Sequence, residues 1–277
     1  MPITRPAVFG LGGIGSLVAT LLSDLNMQVI GIDKVAPVAL PETIEFRAAD
    51  VTDPAALAHA LIGCDAAIAC LPYALILPVA RAAHAVGIHY FDPTEDVETT
   101  EAIRELSQTA IGVMIPQNGL APGFIGILAA HLASQFDAGS LRHIKMRVGA
   151  LPQHPIGQLG YAGNWSLEGL VHEYTSECDI IANRKRQKEG ALEDAEVLRI
   201  NGIEYEAFTT SGGLGTMAET YEGQVDILNY KTIRYPGHLD GMRLLIDELR
   251  FKERPQQLVQ CLADALPPDD QDRVREH

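Results

Sequence analysis

Three glycines near the start of the chain have the spacing of a dinucleotide-binding turn. Gly10, Gly12 and Gly15 follow the pattern G-x-G-x-x-G. The first glycine allows a sharp turn, the second lets backbone approach a phosphate, and the third lets a helix pack closely on a strand. Backbone N–H groups at the start of that helix, from Gly13, Ile14 and Gly15, can bind a pyrophosphate. The alternative is a tight strand-to-helix turn without a ligand.

An acid after the second predicted strand, residues 27–32, extends this pattern. Asp33 can accept hydrogen bonds from a ribose hydroxyl and would repel a 2′-phosphate. Lys34 is the adjacent cation that could counter this repulsion. We therefore expect NAD as the cofactor, with NADP as the alternative, and we expect Asp50 and Val51 after the third strand to contribute to the same site.

The elements that must position these residues alternate regularly. Apolar stretches predict a first strand at 7–9 and further strands at 44–48, 66–71, 89–91 and 112–116, with helices between them. Six strands alternating with helices predict an α/β fold, a Rossmann doubly wound parallel sheet, complete by residue 118. We assign residues 1–118 to this dinucleotide-binding domain.

The pattern then changes. Residues 124–136 predict a long apolar helix and 141–148 an antiparallel strand, and further strands follow at 197–200, 203–208 and 225–233. These predict a second α+β domain over residues 119–238, for substrate binding and dimerisation. Two amphipathic helices within 239–277 are expected to return to the Rossmann domain and pack beside its first helix.

Composition narrows the class of protein. The 277-residue chain has a formal net charge of −15, which argues against nucleic-acid and anionic-membrane partners. The one dense basic run, residues 184–188, is expected to be a solvated loop. Four widely spaced cysteines and no metal-ligand pattern indicate reduced thiols, no metal site and a cytoplasmic location.

Four strings resemble one family. They are Asn-Gly-Leu-Ala-Pro-Gly-Phe at 118–124, Val-Gly-Ala-Leu-Pro-Gln at 148–153, Thr-Ser-Gly-Gly-Leu-Gly-Thr at 210–216 and Asn-Tyr-Lys-Thr-Ile-Arg-Tyr-Pro-Gly-His at 229–238. Together they resemble the saccharopine dehydrogenase family, nearest its short bacterial members related to lysine 6-dehydrogenase. The last string is the most specific.

The resemblance implies a nicotinamide-dependent oxidoreductase that acts on the C–N bond of an amino acid such as lysine or saccharopine. It also implies an inserted domain that carries substrate contacts and a homodimer interface. In full-length relatives the chain returns to the Rossmann domain and adds strands. This chain ends near that point, so we expect it to be C-terminally truncated, with an apolar face left open.

Oxidation of an amine to an imine requires a placed nicotinamide, a base and cations for the substrate carboxylate. Cys70, Leu71 and Pro72 are expected to line the nicotinamide site. Cys70 is expected to be a wall and not a nucleophile, because hydride transfer from an amine needs no covalent intermediate. His238 is the candidate general acid or base, with a capping or surface histidine as the equal alternative.

The remaining candidates surround the substrate. Arg234 and Lys231 could bind its carboxylate, or instead form an ion pair with a neighbouring acid such as Asp226 or Glu222. Tyr161 is a further catalytic candidate, and Asn164 and Trp165 could line the cleft. Three acids after the fifth strand could bind a substrate ammonium or be solvated helix-start residues; they are Asp92, Glu95 and Asp96. A non-catalytic nucleotide-binding protein or redox sensor of the same fold is the alternative function.

Overall fold

The structure of the protein is a computed structural model, and it describes residues 2–137, 139–163, 166–266 and the backbone of 274–276. The chain divides into two compact units, residues 1–120 and 121–277. Asn164 and Trp165, two of the cleft candidates, lie outside the described residues.

The first unit consists of six strands and four α-helices. In chain order they are β1 (Pro6–Phe9), α1 (Gly13–Asp24), β2 (Ile30–Asp33), β3 (Glu45–Ala48), α2 (Pro54–Ala60), β4 (Ala66–Ala69), α3 (Ile76–Val86), β5 (His89–Phe91), α4 (Val97–Ser107) and β6 (Met114–Ile115). A short 3-10 turn, Tyr73–Leu75, precedes α3.

The strands of the first unit form one parallel sheet in the order β3-β2-β1-β4-β5-β6. The central strands are apolar throughout because helices cover both faces of the sheet. This is the predicted doubly wound Rossmann arrangement. Its carboxyl edge is the edge at which such sheets bind ligands.

The second unit is built around a mixed sheet. Its elements are α5 (Phe124–Ala133), β7 (His143–Val148), β8 (Ala150–Pro152), α6 (Leu167–Thr175), β9 (Cys178–Ala182), β10 (Lys185–Glu189), β11 (Glu196–Ile200), β12 (Ile203–Thr209), α7 (Met217–Tyr221), β13 (Ile227–Arg234), α8 (His238–Arg243), α9 (Pro255–Ala265) and β14 (Val274–Glu276). A π-helical turn, Leu244–Glu248, and a 3-10 turn, Phe251–Glu253, connect α8 to α9.

Strand β13 is the centre of the second sheet, which has the order β10-β9-β13-β12-β11. Strand β7 also pairs with β13, and this pair is parallel. The expectation of an antiparallel strand at 141–148 is therefore wrong, because alternation reports burial on one face and not the direction of the neighbour. The basic run is likewise an exposed edge strand, β10, and not a loop.

The two C-terminal helices differ from expectation in their packing. The sequence predicts that they pack beside the first helix of the Rossmann unit. Instead, Leu258 and Leu262 of α9 are buried with Leu170 of α6 and Met242 of α8 in the core of the second unit. Apolar side chains remain exposed along one face of α1, at Ile14, Leu17 and Leu21, and at Leu25 directly after it.

Candidate functional site

The turn between β1 and α1 has two glycines that no other residue could replace without movement. Gly10 has a φ of +82°, and an added Cβ would lie 2.3 Å from the carbonyl oxygen of Cys70. A Cβ on Gly15 would lie 1.7 Å from the carbonyl oxygen of Gly10. These close contacts hold the turn against the end of β4 and bring α1 onto the sheet. We refer to residues 10–15 as the glycine loop.

The other two glycines of the loop face open space. An added Cβ on Gly12 or Gly13 would meet nothing within 4 Å among the described residues. Gly12 begins α1 without a side-chain cap, so the first N–H groups of the helix are not satisfied by a capping side chain. Ile14 is exposed beside them. An open surface with free helix-start N–H groups fits a pyrophosphate, and these residues would hold a dinucleotide there.

Asp33 lies at the end of β2, next to the glycine loop. Its Oδ2 accepts a hydrogen bond from the Leu11 N–H (2.7 Å) and its Oδ1 one from the Lys34 N–H (2.6 Å). A carboxylate has about four acceptor positions, so two remain for ribose hydroxyls. The Lys34 ammonium is bound to Asp50, with Nζ 3.0 Å from Oδ2. Lys34 is therefore not directed to the Asp33 carboxylate.

The remaining cofactor candidates have different environments. Hydrogen bonds from Thr52, followed by Lys34, lower the pKa of the exposed Asp50 to about 2. Val51 is buried in the core of the first unit, so its side chain supports the strand end from behind. Cys70 follows β4, and burial raises the pKa of its thiol to about 11, which keeps it neutral and a poor nucleophile.

Leu71 and Pro72 continue the chain after Cys70. The Leu71 side chain would lie 2.8 Å from a Cβ on Gly10, so it packs directly against the glycine loop. Pro72 begins the 3-10 turn that leads into α3. The expected walls of the nicotinamide site are thus contiguous with the glycine loop at one edge of the sheet.

The acids after β5 are placed by hydrogen bonds to backbone. Asp96 begins α4, and its Oδ2 accepts a hydrogen bond from the Thr99 N–H at 2.7 Å. Asp92 is buried, and its Oδ1 accepts one from the Thr94 N–H at 2.8 Å. Asp96 thus caps the helix start, but it is buried and not solvated as the alternative supposed, and the burial of Asp92 was likewise not foreseen.

In the second unit, three of the four catalytic candidates lie together. The guanidinium carbon of Arg234 is 5.2 Å from the centre of the Tyr161 ring, and that ring is 5.7 Å from the His238 ring. Tyr174, a residue the sequence did not indicate, lies between Arg234 and His238. We call these four residues the aromatic–arginine cluster.

Hydrogen bonds fix the protonation of the cluster. Nδ1 of His238 lies 2.8 Å from the carbonyl oxygen of Leu159, so it must donate. Burial, followed by the charge of Arg234, lowers the pKa of His238 to about 3, so its Nε2 carries no proton. Nε2 therefore accepts from the Tyr174 hydroxyl at 3.0 Å, and that oxygen accepts from Nε of Arg234 at 2.8 Å.

This chain of hydrogen bonds is closed and buried. His238 is 1 % exposed, and its neutral ring has both nitrogens satisfied. It is thus neither a capping nor a surface histidine, and in this arrangement it is not available to exchange protons with a ligand. Within the described residues the Tyr161 hydroxyl makes no hydrogen bond, and burial raises the pKa of that phenol. The Tyr161 hydroxyl thus lies outside the chain of hydrogen bonds that joins Arg234, Tyr174 and His238.

Lys231 is separated from this cluster. It is three residues before Arg234 on β13, so the two side chains point to opposite faces of the sheet. Its ammonium is 2 % exposed and lies 2.8 Å from the Asp194 carboxylate and 3.3 Å from that of Glu196. Lys231 therefore forms ion pairs, but not with the expected Asp226 or Glu222, and the expectation of one carboxylate site shared by Lys231 and Arg234 is wrong.

Comparison with known proteins identifies the ancestry of both units. Residues 7–115 match the saccharopine dehydrogenase NADP binding domain, and residues 119–267 match the saccharopine dehydrogenase C-terminal domain. The second match alone covers more than half of the chain. The chain belongs to the saccharopine dehydrogenase family.

The fold of the family is also found by structural comparison. Apo saccharopine dehydrogenase (L-Glu forming) from Saccharomyces cerevisiae matches 88% of this chain with a TM-score of 0.71 and 20% identity. This chain spans 58% of the length of that protein. A Rossmann-fold NAD(P)-binding family protein from Shigella flexneri (17% identity, 42% of this chain, 67% of that chain, TM-score 0.32) is similar over a smaller part.

Among the residues that the structure describes, no group of three or more His, Cys, Asp or Glu side chains is arranged to hold a metal ion. In the same parts of the chain, none of the helices combines the length and apolar character needed to span a bilayer. All four cysteines are free.

Two features of the site had no usable sequence signal. Tyr174 is one apolar-face residue of α6, 60 residues before Arg234, and nothing local marks it as a partner of that arginine. Asp92 follows a strand as many solvated acids do, and only its burial distinguishes it. The hydrogen-bond pattern of both depends on tertiary contacts.

Proposed function

We propose that this protein is an NAD-dependent oxidoreductase that transfers hydride at the C–N bond of an amino acid of the lysine or saccharopine type. Family membership supports an oxidoreductase with a nicotinamide cofactor. The observation that carries the proposal is the glycine loop, which combines two close-packed glycines with open space at Gly12 and Gly13. When bound, a nicotinamide supplies the hydride chemistry, and the chain supplies binding, orientation and proton handling.

The choice of NAD over NADP is supported by the residues at the end of β2. The Asp33 carboxylate would repel the negative charge of a 2′-phosphate. The Lys34 ammonium is bound to Asp50 and so does not offset this repulsion. The family domain that matches residues 7–115 is named for NADP, so a comparison of the two cofactors tests the choice of NAD. By fluorescence titration we expect a lower dissociation constant for NADH than for NADPH. Asp33→Asn should bring the two dissociation constants closer together. Tighter NADPH binding by the unmodified protein would contradict the proposal.

Within the second unit we propose that Tyr161 is the group that meets the substrate. Its hydroxyl lies outside the buried chain of hydrogen bonds, and the guanidinium carbon of Arg234 lies 5.2 Å from the centre of its ring. Tyr174 and His238 hold Arg234 in place through the buried chain of hydrogen bonds. Tyr161→Phe should therefore lower kcat at least tenfold with little loss of stability. Tyr174→Phe should lower both kcat and stability, because it removes the hydroxyl that joins Arg234 to His238.

The reaction is tested by turnover. A panel of amino acids, including lysine and saccharopine, is incubated with NAD and with NADP, and reduction is followed at the absorbance of the reduced ring. Reduction of the cofactor in the presence of a basic or dicarboxylic amino acid supports the proposal. Loss of this reduction in Tyr161→Phe would assign the reaction to the aromatic–arginine cluster. Dinucleotide binding without turnover of any amino acid would contradict it.

That negative outcome corresponds to a second candidate function, a non-catalytic dinucleotide-binding protein or redox sensor of the same fold. The burial of His238 favours this candidate, because a closed, neutral histidine does not act as a general base. Family membership favours the enzyme.

We further propose that the protein forms a homodimer through its second unit, with a small amino acid as its ligand and neither nucleic acid nor membrane as partner. Helices α5 and α7, and likewise α6, α8 and α9, pack on one face of the sheet, because Phe208 pairs with Thr232 and so shares a face with Tyr230. The opposite face includes Lys231 with its ion pairs. The exposed apolar surface is instead the outer face of α5: Phe124, Ile127, Leu128 and Leu132. Sedimentation at micromolar concentration should show a dimer that Ile127→Glu dissociates. A monomer of the unmodified chain would contradict this.

A further inference from the structure

Asp92 lies at the same edge of the first sheet as the glycine loop. Phe9 at the end of β1 pairs with Ala69 at the end of β4, and Ile68 of β4 pairs with Phe91 at the end of β5. The segments that follow these three strands therefore lie side by side along the carboxyl edge. The glycine loop comes first, the segment after β4 second and Asp92 third.

The Asp92 side chain is buried and incompletely satisfied. It is 1 % exposed, and its Oδ2 has no hydrogen-bond partner among the described residues. The hydroxyl of Tyr90, two residues earlier and on the same side of β5, is also buried without a well-formed hydrogen bond, and it lies close enough to Asp92 to lower the pKa of that carboxyl. Buried polar groups without partners are rare and costly in native proteins, and they concentrate at functional sites. Burial raises the pKa of Asp92 to about 6.

Among Asp92, Cys70 and Tyr90, Asp92 is the group that can change charge near neutral pH. Cys70 of the segment after β4 and Tyr90 of β5 both have pKa values raised by burial and are neutral. Glu95 and Asp96 lie on the loop that follows, with Asp96 capping α4. The segment after β6 contributes backbone, including the Asn118 N–H, which donates to the Asp92 carbonyl oxygen at 2.7 Å. Within the described residues no cation forms an ion pair with Asp92.

A dinucleotide bound at the glycine loop would extend across this edge. Asp33 at the end of β2 is on one side of the loop, and β4 and β5 are on the other. Rossmann sheets bind a dinucleotide across this crevice, so an adenosine half beside β2 leaves the nicotinamide half beside β4 and β5. The oxidised nicotinamide ring carries a positive charge and the reduced ring is neutral.

We propose that Asp92 is the positioning residue that distinguishes the oxidised from the reduced cofactor, releasing its proton when the cationic ring binds. This inference rests on the proposed dinucleotide binding. A nearby cation stabilises a carboxylate and lowers its pKa by one to three units, about tenfold in affinity for each unit. Linkage is reciprocal, so an ionised Asp92 tightens binding of the oxidised form. No covalent bond changes, and the proton passes to the buffer.

The proton is measured by calorimetric titration in two buffers that differ in heat of ionisation. At pH 6, binding of NAD should release roughly half a proton, whereas NADH and ADP-ribose, which have no cationic ring, should release none. At pH 8 the release on NAD binding should disappear, because Asp92 is already ionised. The NADP forms replace these ligands if they bind more tightly.

Two variants complete the experiment. Asp92→Asn should abolish proton release and reduce the affinity for NAD about tenfold or more relative to NADH at pH 8. The control Asp33→Asn should weaken all three ligands and leave the proton release on NAD binding unchanged. Equal release with NAD and ADP-ribose in the unmodified protein, or release that persists in Asp92→Asn, would overturn the inference. Failure of all three ligands to bind would instead refute the proposed function.

Discussion

Replacement of Asp92 by asparagine should stabilise the protein at neutral pH. The carboxyl group is 1 % exposed, and burial raises its pKa from an ordinary 3.8 to about 6. It is therefore harder to ionise in the folded protein than in the unfolded chain. One pKa unit corresponds to about 1.4 kcal/mol, so ionised Asp92 lowers the free energy of unfolding by about 3 kcal/mol above pH 7.

The sign and the pH range follow from the same two values. Below pH 3.8 the group is protonated in both states and the destabilisation is absent. It grows as the pH rises from 3.8 to 6, reaching about 1 kcal/mol at pH 4.5, and is constant above that range. Asparagine keeps the shape of the side chain and the oxygen that accepts from Thr94, and it carries no charge at any of these pH values.

Thermal unfolding measured by scanning calorimetry without cofactor is the appropriate assay. Asp92→Asn should raise the melting temperature of the first unit by roughly 10 °C at pH 7.5 and by about a third of that at pH 4.5. Asp65→Asn is the control of opposite sign. Burial raises the pKa of Asp65, but hydrogen bonds from Thr4 and Arg5 outweigh it and the pKa is lowered. Loss of the Asp65 carboxylate in Asp65→Asn should therefore destabilise the protein at pH 7.5. An equal effect of Asp92→Asn at both pH values would refute the reasoning.

Four further predictions concern other parts of the structure. Gly15→Ala should lower the melting temperature, since its Cβ would lie 1.7 Å from the Gly10 carbonyl oxygen. Gly13→Ala should keep the melting temperature but weaken NADH binding, and equal melting of the two variants would contradict this. Lys231→Met should lower the free energy of unfolding in urea by on the order of 2 kcal/mol, because the acidic partners of Lys231 remain without a buried cation. An unchanged free energy of unfolding would show that these ion pairs do not stabilise the fold. In nitrogen-15 spectra, His238 should remain neutral with its proton on Nδ1 at pH 5, and an imidazolium signal there would contradict the buried chain of hydrogen bonds.

The first unit could be predicted closely because its signals are local. The glycine loop, the acid after β2 and the strand at His89–Phe91 each depend on residues within a few positions of one another. Continuous apolar strands separated by amphipathic helices also determine the parallel sheet, since few other arrangements bury both faces. What remained hidden there was the burial of Asp92, which depends on how several segments pack around it.

The second unit was harder because its arrangement depends on distant contacts. The apolar stripe of α9 indicated that the helix packs against something, but not that the surface belongs to α6 and α8. Strand β10 has the sequence Lys-Arg-Gln-Lys-Glu and therefore no apolar alternation to indicate a strand. The separation of Lys231 from Arg234 could have been recognised, because residues three apart on a strand face opposite ways.

The charged strand β10 also has a consequence for the behaviour of the protein at high concentration. It pairs with β9 on one side only, and its four polar side chains before Glu189 are exposed. An edge with unpaired backbone groups invites addition of a strand from another molecule, and clustered lysine and arginine side chains oppose such addition by repulsion and solvation. The basic run thus protects this end of the sheet against fibril-like stacking. Neutral replacements at Lys185, Arg186 and Lys188 would expose a template for aggregation, and at the last two positions they would also remove the ion pairs with Asp179.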